Sequence, residues 1–166
     1  MADFDAYTRP RLEVADPFSD RARALLTTYV LDVASRYYGR ALTREERALA
    51  LADMPGSDLA EPRGVLLIAS MESEDVGCVG MRFLDCAIGE LTSLFVVEDL
   101  REQGIGALLL IELEAIATDR GLSALRLDTR HDLMEARRLY ARHGFFEVPA
   151  FNDEPYAERW LAKTLK

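Results

Sequence analysis

The sequence predicts a single α/β (α+β) domain, a mixed, mainly antiparallel sheet flanked by helices, and two observations predict it. The first is a passage in which the hydrophobic period changes. A β-branched and aromatic run, Leu94 to Val97, enters a polar turn holding Gly104 and Gly106, and a helical pattern follows with Leu108, Ile111, Ala115 and Ile116 on one face. A second alternating run, Leu122 to Thr129, comes next, so the passage reads as a β-α-β unit with a right-handed crossover. The second observation is that the strand-like runs before it are joined by connections too short for a parallel crossover, which makes them an antiparallel meander. At 166 residues the chain can bury a core without staples, so one domain is expected over 1–166.

In chain order, a loosely ordered start of about ten residues precedes a short strand, Arg11 to Ala15, stopped by Asp16-Pro17. Ser19-Asp20 can cap a helix that runs to about Tyr38, with Gly39 past its end. Thr43 and Glu46 have capping-box spacing and open a helix to about Asp53, closed by Pro55-Gly56. Gly64–Met71 is a buried strand, Glu72–Asp75 a hairpin turn, Val76–Leu84 the next strand, and Ile88-Gly89 turns into the strand Glu90–Val97. Beyond the central unit, Gly121 stops the helix and Leu122–Thr129 is a strand parallel to Glu90–Val97. A helix is expected at Asp132–His143, ended by Gly144. Two closing strands follow, Phe145–Val148 and Arg159–Thr164, joined by an excursion through Pro149–Glu158.

Composition narrows the function. A hydrophobic fraction of 49% with 30% charged residues is that of a globular protein. A net charge of −9 argues against nucleic acid as a partner, because phosphate backbones want a basic surface, and it suits a cationic substrate. No apolar run approaches the length of a membrane span, and no His or Cys cluster has metal-ligand spacing, so no membrane and no metal are expected. Cys78 and Cys86, the two cysteines, fit free thiols in a reducing compartment, with the cytoplasm as the expected setting.

The turn at Arg101–Gly106 has a physical meaning of its own. The first N–H groups of a helix lack intrahelical partners and sit at the positive end of its dipole, and glycines let a ligand approach the backbone, so the natural guest is a phosphate or pyrophosphate. It is not a dinucleotide fingerprint, because the residue three after Gly106 is Leu109, and no Gly-Lys-Ser/Thr follows to make a P-loop. What stands is Arg-x-x-Gly-x-Gly directly after a strand ending Phe-Val-Val. Downstream, a strand ending Asp128-Thr129 leads to a helix carrying Ala136, Leu139 and Tyr140, and then to Gly144-Phe145. Together these resemble the GNAT superfamily of acyl-CoA-dependent N-acyltransferases, over nearly the whole chain and most specifically from Glu90 to Val148.

That resemblance implies a splayed pair of parallel strands, Glu90–Val97 and Leu122–Thr129, with the pantetheine arm of acetyl-CoA in the gap. Phe95, Val96 and Val97 would offer it backbone groups, and Arg101, Gln103, Gly104, Ile105, Gly106 and Ala107 would hold the pyrophosphate. Tyr140 would protonate the departing thiolate, and Glu90 would serve as general base, with a water chain as its competitor. One departure stands out: many relatives place asparagine where this chain has Leu133. His143, beside a helix C-terminus, is read as a cap favoured in its charged form. The implied reaction is direct transfer of an acetyl group to a primary amine, without a covalent enzyme intermediate. The acceptor is expected to be a small amine, since Tyr29, Tyr37, Tyr38, Phe151, Asn152, Asp153, Glu154 and Tyr156 fall on segments that would surround it. An acyl-CoA sensor without turnover and a protein or peptide acetyltransferase are the alternatives, and a homodimer is left open.

Overall fold

A computed structural model describes residues 9–85 and 87–166. The expected loose start at about residues 1–10 falls mostly outside that range, as does the state of Cys86. The elements are β1 (Arg11–Val14), α1 (Asp20–Tyr38), α2 (Arg44–Ala52), β2 (Gly64–Met71), β3 (Glu74–Leu84), β4 (Ile88–Val96), α3 (Ile105–Asp119), β5 (Ala124–Thr129), α4 (Met134–Arg142), β6 (Phe146–Glu147) and β7 (Arg159–Thr164).

The strands form one seven-stranded sheet in the order β1-β2-β3-β4-β5-β7-β6, in which β4 and β5 are the parallel pair and the rest are antiparallel. Both faces are covered, which is why β2 reads as an unbroken apolar run. Val65, Leu67 and Ala69 point into the larger core with Leu109, Leu110 and Leu113 of α3, while Leu66 and Ile68 meet Leu25 and Leu26 of α1 on the other side.

The helix boundaries follow the chemistry of their ends. The Ser19 hydroxyl accepts from the Ala22 N–H, and Gly39 ends α1 at φ 69°, the left-handed region glycine takes freely. Thr43 and Glu46 form the expected reciprocal capping box on α2. Expectation and structure part at several places: the buried face of α3 is Leu109, Leu110 and Leu113 while Ile111 is exposed, and β6 is only Phe146–Glu147. The β2–β3 hairpin turns in two residues rather than four, with Glu72 and Ser73 at φ 51° and 69°, the geometry that matches strand twist. The strand β4 begins at Ile88, not Glu90. Leu122 belongs to the end of α3, where its N–H reaches the Ala117 carbonyl at 3.0 Å, so β5 begins at Ala124. Finally, α4 starts at Met134 because the Asp132 carboxylate that could have capped it is held by the Arg130 guanidinium, 2.8 and 2.9 Å away.

Two features shape the site. β4 and β5 pair only from Ile88–Glu90 to Ala124–Arg126; beyond them the strands part. A bulge in β4 adds one residue opposite Val79, with Ser93 at φ 58°, so Gly80 faces Thr92 while Cys78 faces Phe95.

Candidate functional site

The parting of β4 and β5 opens a cleft of about 1440 Å³ that runs from the α3 N-terminus to the ends of α1 and α2. Its first half is built from the loop before α3. Gly104 takes φ 87°, a conformation strained for any side chain, and no side chain caps the helix that follows. The N–H groups of Ile105, Gly106 and Ala107 therefore have no helical partner, and these residues, Gly104 and Arg101 line the cleft. A Cβ on Gly106 would come within 2.9 Å of the Leu139 side chain. This is an anion cradle at a positive helix end. Arg138 and Arg142 of α4 line the same half, both exposed and outside the ion pairs among the described residues. Their i, i+4 spacing is a signal of a basic helix face legible in the sequence.

Of the expected pyrophosphate residues, Gln103 is exposed and does not line the cleft. Of the three expected to offer backbone groups, Val96 alone turns them outward. The Val97 N–H is bonded to the Val76 carbonyl of the neighbouring chain segment at 2.9 Å, and by the alternation of antiparallel ladders Phe95 also faces β3. Phe95 lines the cleft with its ring; Val97 does not line it. The Val96 carbonyl accepts from Arg101 Nε at 2.8 Å, and the same guanidinium lies 3.3 Å from Asp32 of α1.

Tyr140 lines the cleft, 7% exposed, its ring tilted against Phe145. Burial raises its phenol above the ordinary value, helped by Tyr29 and the charge of Asp128, so it keeps its proton throughout the neutral range. Tyr29, also in the wall, is pushed up to about 12, first by burial. Asp128 lines the cleft at the end of β5. Its Oδ2 accepts from Asn152 Nδ2 at 2.8 Å, and Asn152 in turn accepts from Trp160 Nε1 at 2.9 Å. That chain fixes the amide's orientation: its oxygen serves the indole, so its N–H₂ must serve the carboxylate. Asp128 was visible in the sequence as a strand end, but its partner lies 24 residues away on the excursion before β7.

Glu90 is positioned differently from the role expected for it. It is 7% exposed and both its oxygens are engaged, by Arg82 at 2.5 Å and by Arg126 at 2.9 Å, in a row across β3, β4 and β5; it is not part of the cleft wall. The far half of the cleft is aromatic. Tyr37 meets Tyr38 at 5.1 Å and Tyr156 of the excursion at 4.9 Å, so α1 and the excursion touch across the opening, with Asp53 and Glu154 nearby in the wall. Phe151 lies under Arg126 instead, at 4.2 Å, and Asp153 does not line the cleft.

Of two further titratable groups, Cys78 stands apart from the cleft and His143 lines it. Cys78 is buried, its thiol pushed up to about 12 by burial and its Sγ donating to the Ser93 carbonyl. His143 stands at the C-cap of α4 with its backbone N–H bonded to the last turn, but burial, Lys163 and Arg142 lower its pKa, so the neutral form is favoured over the charged cap expected. Among the described residues no three His, Cys, Asp or Glu side chains are grouped to hold a metal ion, and no helix is long and apolar enough to cross a membrane.

Comparison with known proteins bears on the family and the fold. The model of the acetyltransferase (GNAT) family matches residues 27–145. An uncharacterized N-acetyltransferase of Escherichia coli (strain K12), YedL, is 31% identical over 100 residues, which are 57% of this chain and 62% of its own length, so somewhat under two thirds of that relative is spanned. Among solved structures, the PaiA N-acetyltransferase of Thermoplasma acidophilum in complex with coenzyme A superposes with a TM-score of 0.73 at 16% identity, covering 93% of this chain and 99% of that one. An aminoglycoside 6'-N-acetyltransferase complexed with coenzyme A gives a TM-score of 0.67 at 16% identity, covering 93% and 96%. At such identities the structural likeness speaks for the fold alone.

Proposed function

Because the chain belongs to the GNAT family of acetyltransferases, we propose that it moves an acetyl group from acetyl-CoA to the primary amine of a small molecule, by direct transfer in a cytoplasmic setting. The observation that carries this reading is one continuous cleft. It joins an anion cradle, a buried protonated tyrosine and a carboxylate that has no cation partner among the described residues.

The residues fit the co-substrate. The uncapped N–H groups of Ile105, Gly106 and Ala107, with Arg101, Arg138 and Arg142 around them, would hold its phosphates. Gly106 leaves the room that a Cβ would take, and the outward backbone of Val96 would meet the pantetheine amides. When bound, acetyl-CoA supplies an activated thioester carbonyl. Tyr140 keeps a proton for the sulfur that leaves, and a tyrosine whose phenol is raised holds that proton until it is needed. Asp128, held by Asn152 and Trp160, presents a carboxylate to an incoming ammonium and can draw its proton, directly or through water. We give this amine-facing role to Asp128 rather than Glu90, whose oxygens both serve guanidiniums. The buried Cys78, far above the thiolate range, does not support a covalent cysteine intermediate.

The acceptor half favours a small cationic amine. Tyr37, Tyr38 and Tyr156 offer ring surfaces, Asp53 and Glu154 offer charge, and the Tyr37–Tyr156 contact narrows the passage a peptide would need. The PaiA N-acetyltransferase and the aminoglycoside 6'-N-acetyltransferase that share the fold are in keeping with an amine acceptor. The test is a thermal shift with CoA and acetyl-CoA, followed by thiol release and product mass over a panel of small amines and peptides. A shift with turnover on small amines is expected. Binding without turnover on any amine would leave the acyl-CoA sensor, and preference for peptides would replace the acceptor class.

A further inference from the structure

Among the described residues, Arg101 is the one cation of the cradle that a carboxylate already holds. Arg138 and Arg142 lie beside it outside the ion pairs among the described residues, whereas Arg101 gives Nε to the Val96 carbonyl at 2.8 Å and Nη2 to Asp32 at 3.3 Å. Both contacts compete with what the proposed cofactor needs. The Val96 carbonyl is the outward-facing acceptor of the parted strand, and the guanidinium is the charge that stands first in the loop. Asp32 is not isolated either. It lies 3.8 Å from Arg36 on the next turn of α1, and Arg36 makes a two-point pair with Glu135 of α4 at 2.5 and 3.0 Å. Arg101, Asp32, Arg36 and Glu135 thus form one chain of alternating charge from the loop through α1 to α4. Asp32 and Arg101 are both part-exposed, at 29% and 23% of the side chain, so their pairing is of the modest, exchangeable kind.

We propose that Asp32 is a positioning residue that sets the affinity of the acyl-CoA site by competing with the pyrophosphate for Arg101. This rests on the acyl-CoA reading above. Binding exchanges one anionic partner of Arg101 for another, withdraws its Nε from Val96 and so frees that carbonyl for a pantetheine amide. The side chain released, Asp32, turns to Arg36 four residues on. Since α1 also carries Tyr29, Val33 and Tyr37 of the acceptor wall, the exchange ties cofactor loading to the helix that meets the amine. By reciprocity, whatever stabilises the Asp32–Arg101 pair weakens cofactor binding by the same factor.

Calorimetric titration with CoA of wild type, Asp32→Asn, Arg101→Ala and the double variant tests it without knowledge of the amine. Asp32→Asn should tighten CoA binding about three- to fivefold, the span of a part-exposed ion pair, and Arg101→Ala should weaken it. In the Arg101→Ala background, Asp32→Asn should have no effect. A purely structural Asp32 would weaken binding when replaced, and that result, or an unchanged affinity, overturns the proposal. So does a gain that survives in the Arg101→Ala background, since it would come from the general field and not from competition. Asp32→Ser supplies the same reading should the asparagine variant melt early. Wild type that binds no CoA at all would instead overturn the acyl-CoA reading itself, which keeps the two failures distinct.

Discussion

The two halves of the cleft are made in different ways. The half at the loop is contiguous in sequence: a strand end, a turn with one obligatory left-handed glycine, and a helix start, all between Val96 and Ala107. It works through backbone N–H groups whose direction the helix itself sets. The half proposed to meet the amine is assembled from α1, the end of α2, β5 and the excursion before β7, and it would work through side chains. A backbone site tolerates drift in every side chain except the glycines that admit the ligand. A side-chain site can be rebuilt without disturbing the fold, which suits a scaffold whose cofactor is constant and whose acceptor varies.

The largest expected effect tests the contiguous half. Gly106→Val puts branched carbon against Leu139, where even a Cβ comes within 2.9 Å, and crowds the N–H groups of the cradle. CoA affinity should fall by about 100-fold, or ~3 kcal/mol, with the melting temperature of the free protein only slightly lowered. Normal CoA binding by a folded Gly106→Val protein would show that the cradle is not where the phosphates lie.

Next in size is a pair of substitutions at the boundary between the halves. Tyr140→Phe keeps the ring packed on Phe145 and removes the proton, so turnover should fall about 100-fold while CoA affinity stays within about twofold. Because burial raises the phenol, the wild-type rate should show no loss attributable to Tyr140 ionisation up to at least the ordinary tyrosine range near pH 10. Asp128→Asn should lower kcat/KM for the amine by about 10- to 100-fold with the same indifference to CoA. If either change weakened CoA binding as much as turnover, the division of the cleft would fail.

How much of this was legible in the sequence follows from the same division. The cradle could be read because its parts are neighbours along the chain. Its orientation could not, because the bulge at Ser93 resets the alternation of β4, and a consecutive trio such as Phe95, Val96 and Val97 cannot all face one way. Glu90 was misleading for a related reason. From the chain it is a carboxylate at a strand start, while its guanidinium neighbours are supplied by cross-strand register from Arg82 and Arg126. The Trp160–Asn152–Asp128 chain is non-local throughout. Capping residues, by contrast, announced α1 and α2 to within a residue, since caps act over one turn.

Glu90 offers a sharper test than its position suggests. Glu90→Gln removes the charge between two guanidiniums that are 39% and 27% exposed at the side chain, so water moderates the loss and about 1–2 kcal/mol of stability should go. Turnover by the protein that remains folded should stay within about threefold. A 100-fold loss of turnover with stability intact would return the base role to Glu90 and take it from Asp128.

The smallest effect probes the cationic wall. Burial, then Lys163, and then Arg142 lower the pKa of His143 in the fold, with Glu114 opposing. A histidine depressed in the folded state contributes stability that is fully present above its ordinary pKa of about 6.5 and is lost as pH falls through that value toward the folded one. The carboxylates shifted in this protein, Glu13, Glu46, Asp132 and Glu135, are lowered, so their contributions fade only at more acidic pH. Between about pH 7 and pH 5, therefore, the melting temperature should decline, on the order of a degree or two, and His143→Gln should flatten the decline. Phosphates seated near Arg142 would offset the cations around His143, so saturating CoA should flatten it as well. A slope unaltered by CoA, in a protein shown to bind it, would separate the end of α4 from the phosphate site and leave the cradle to the α3 loop alone.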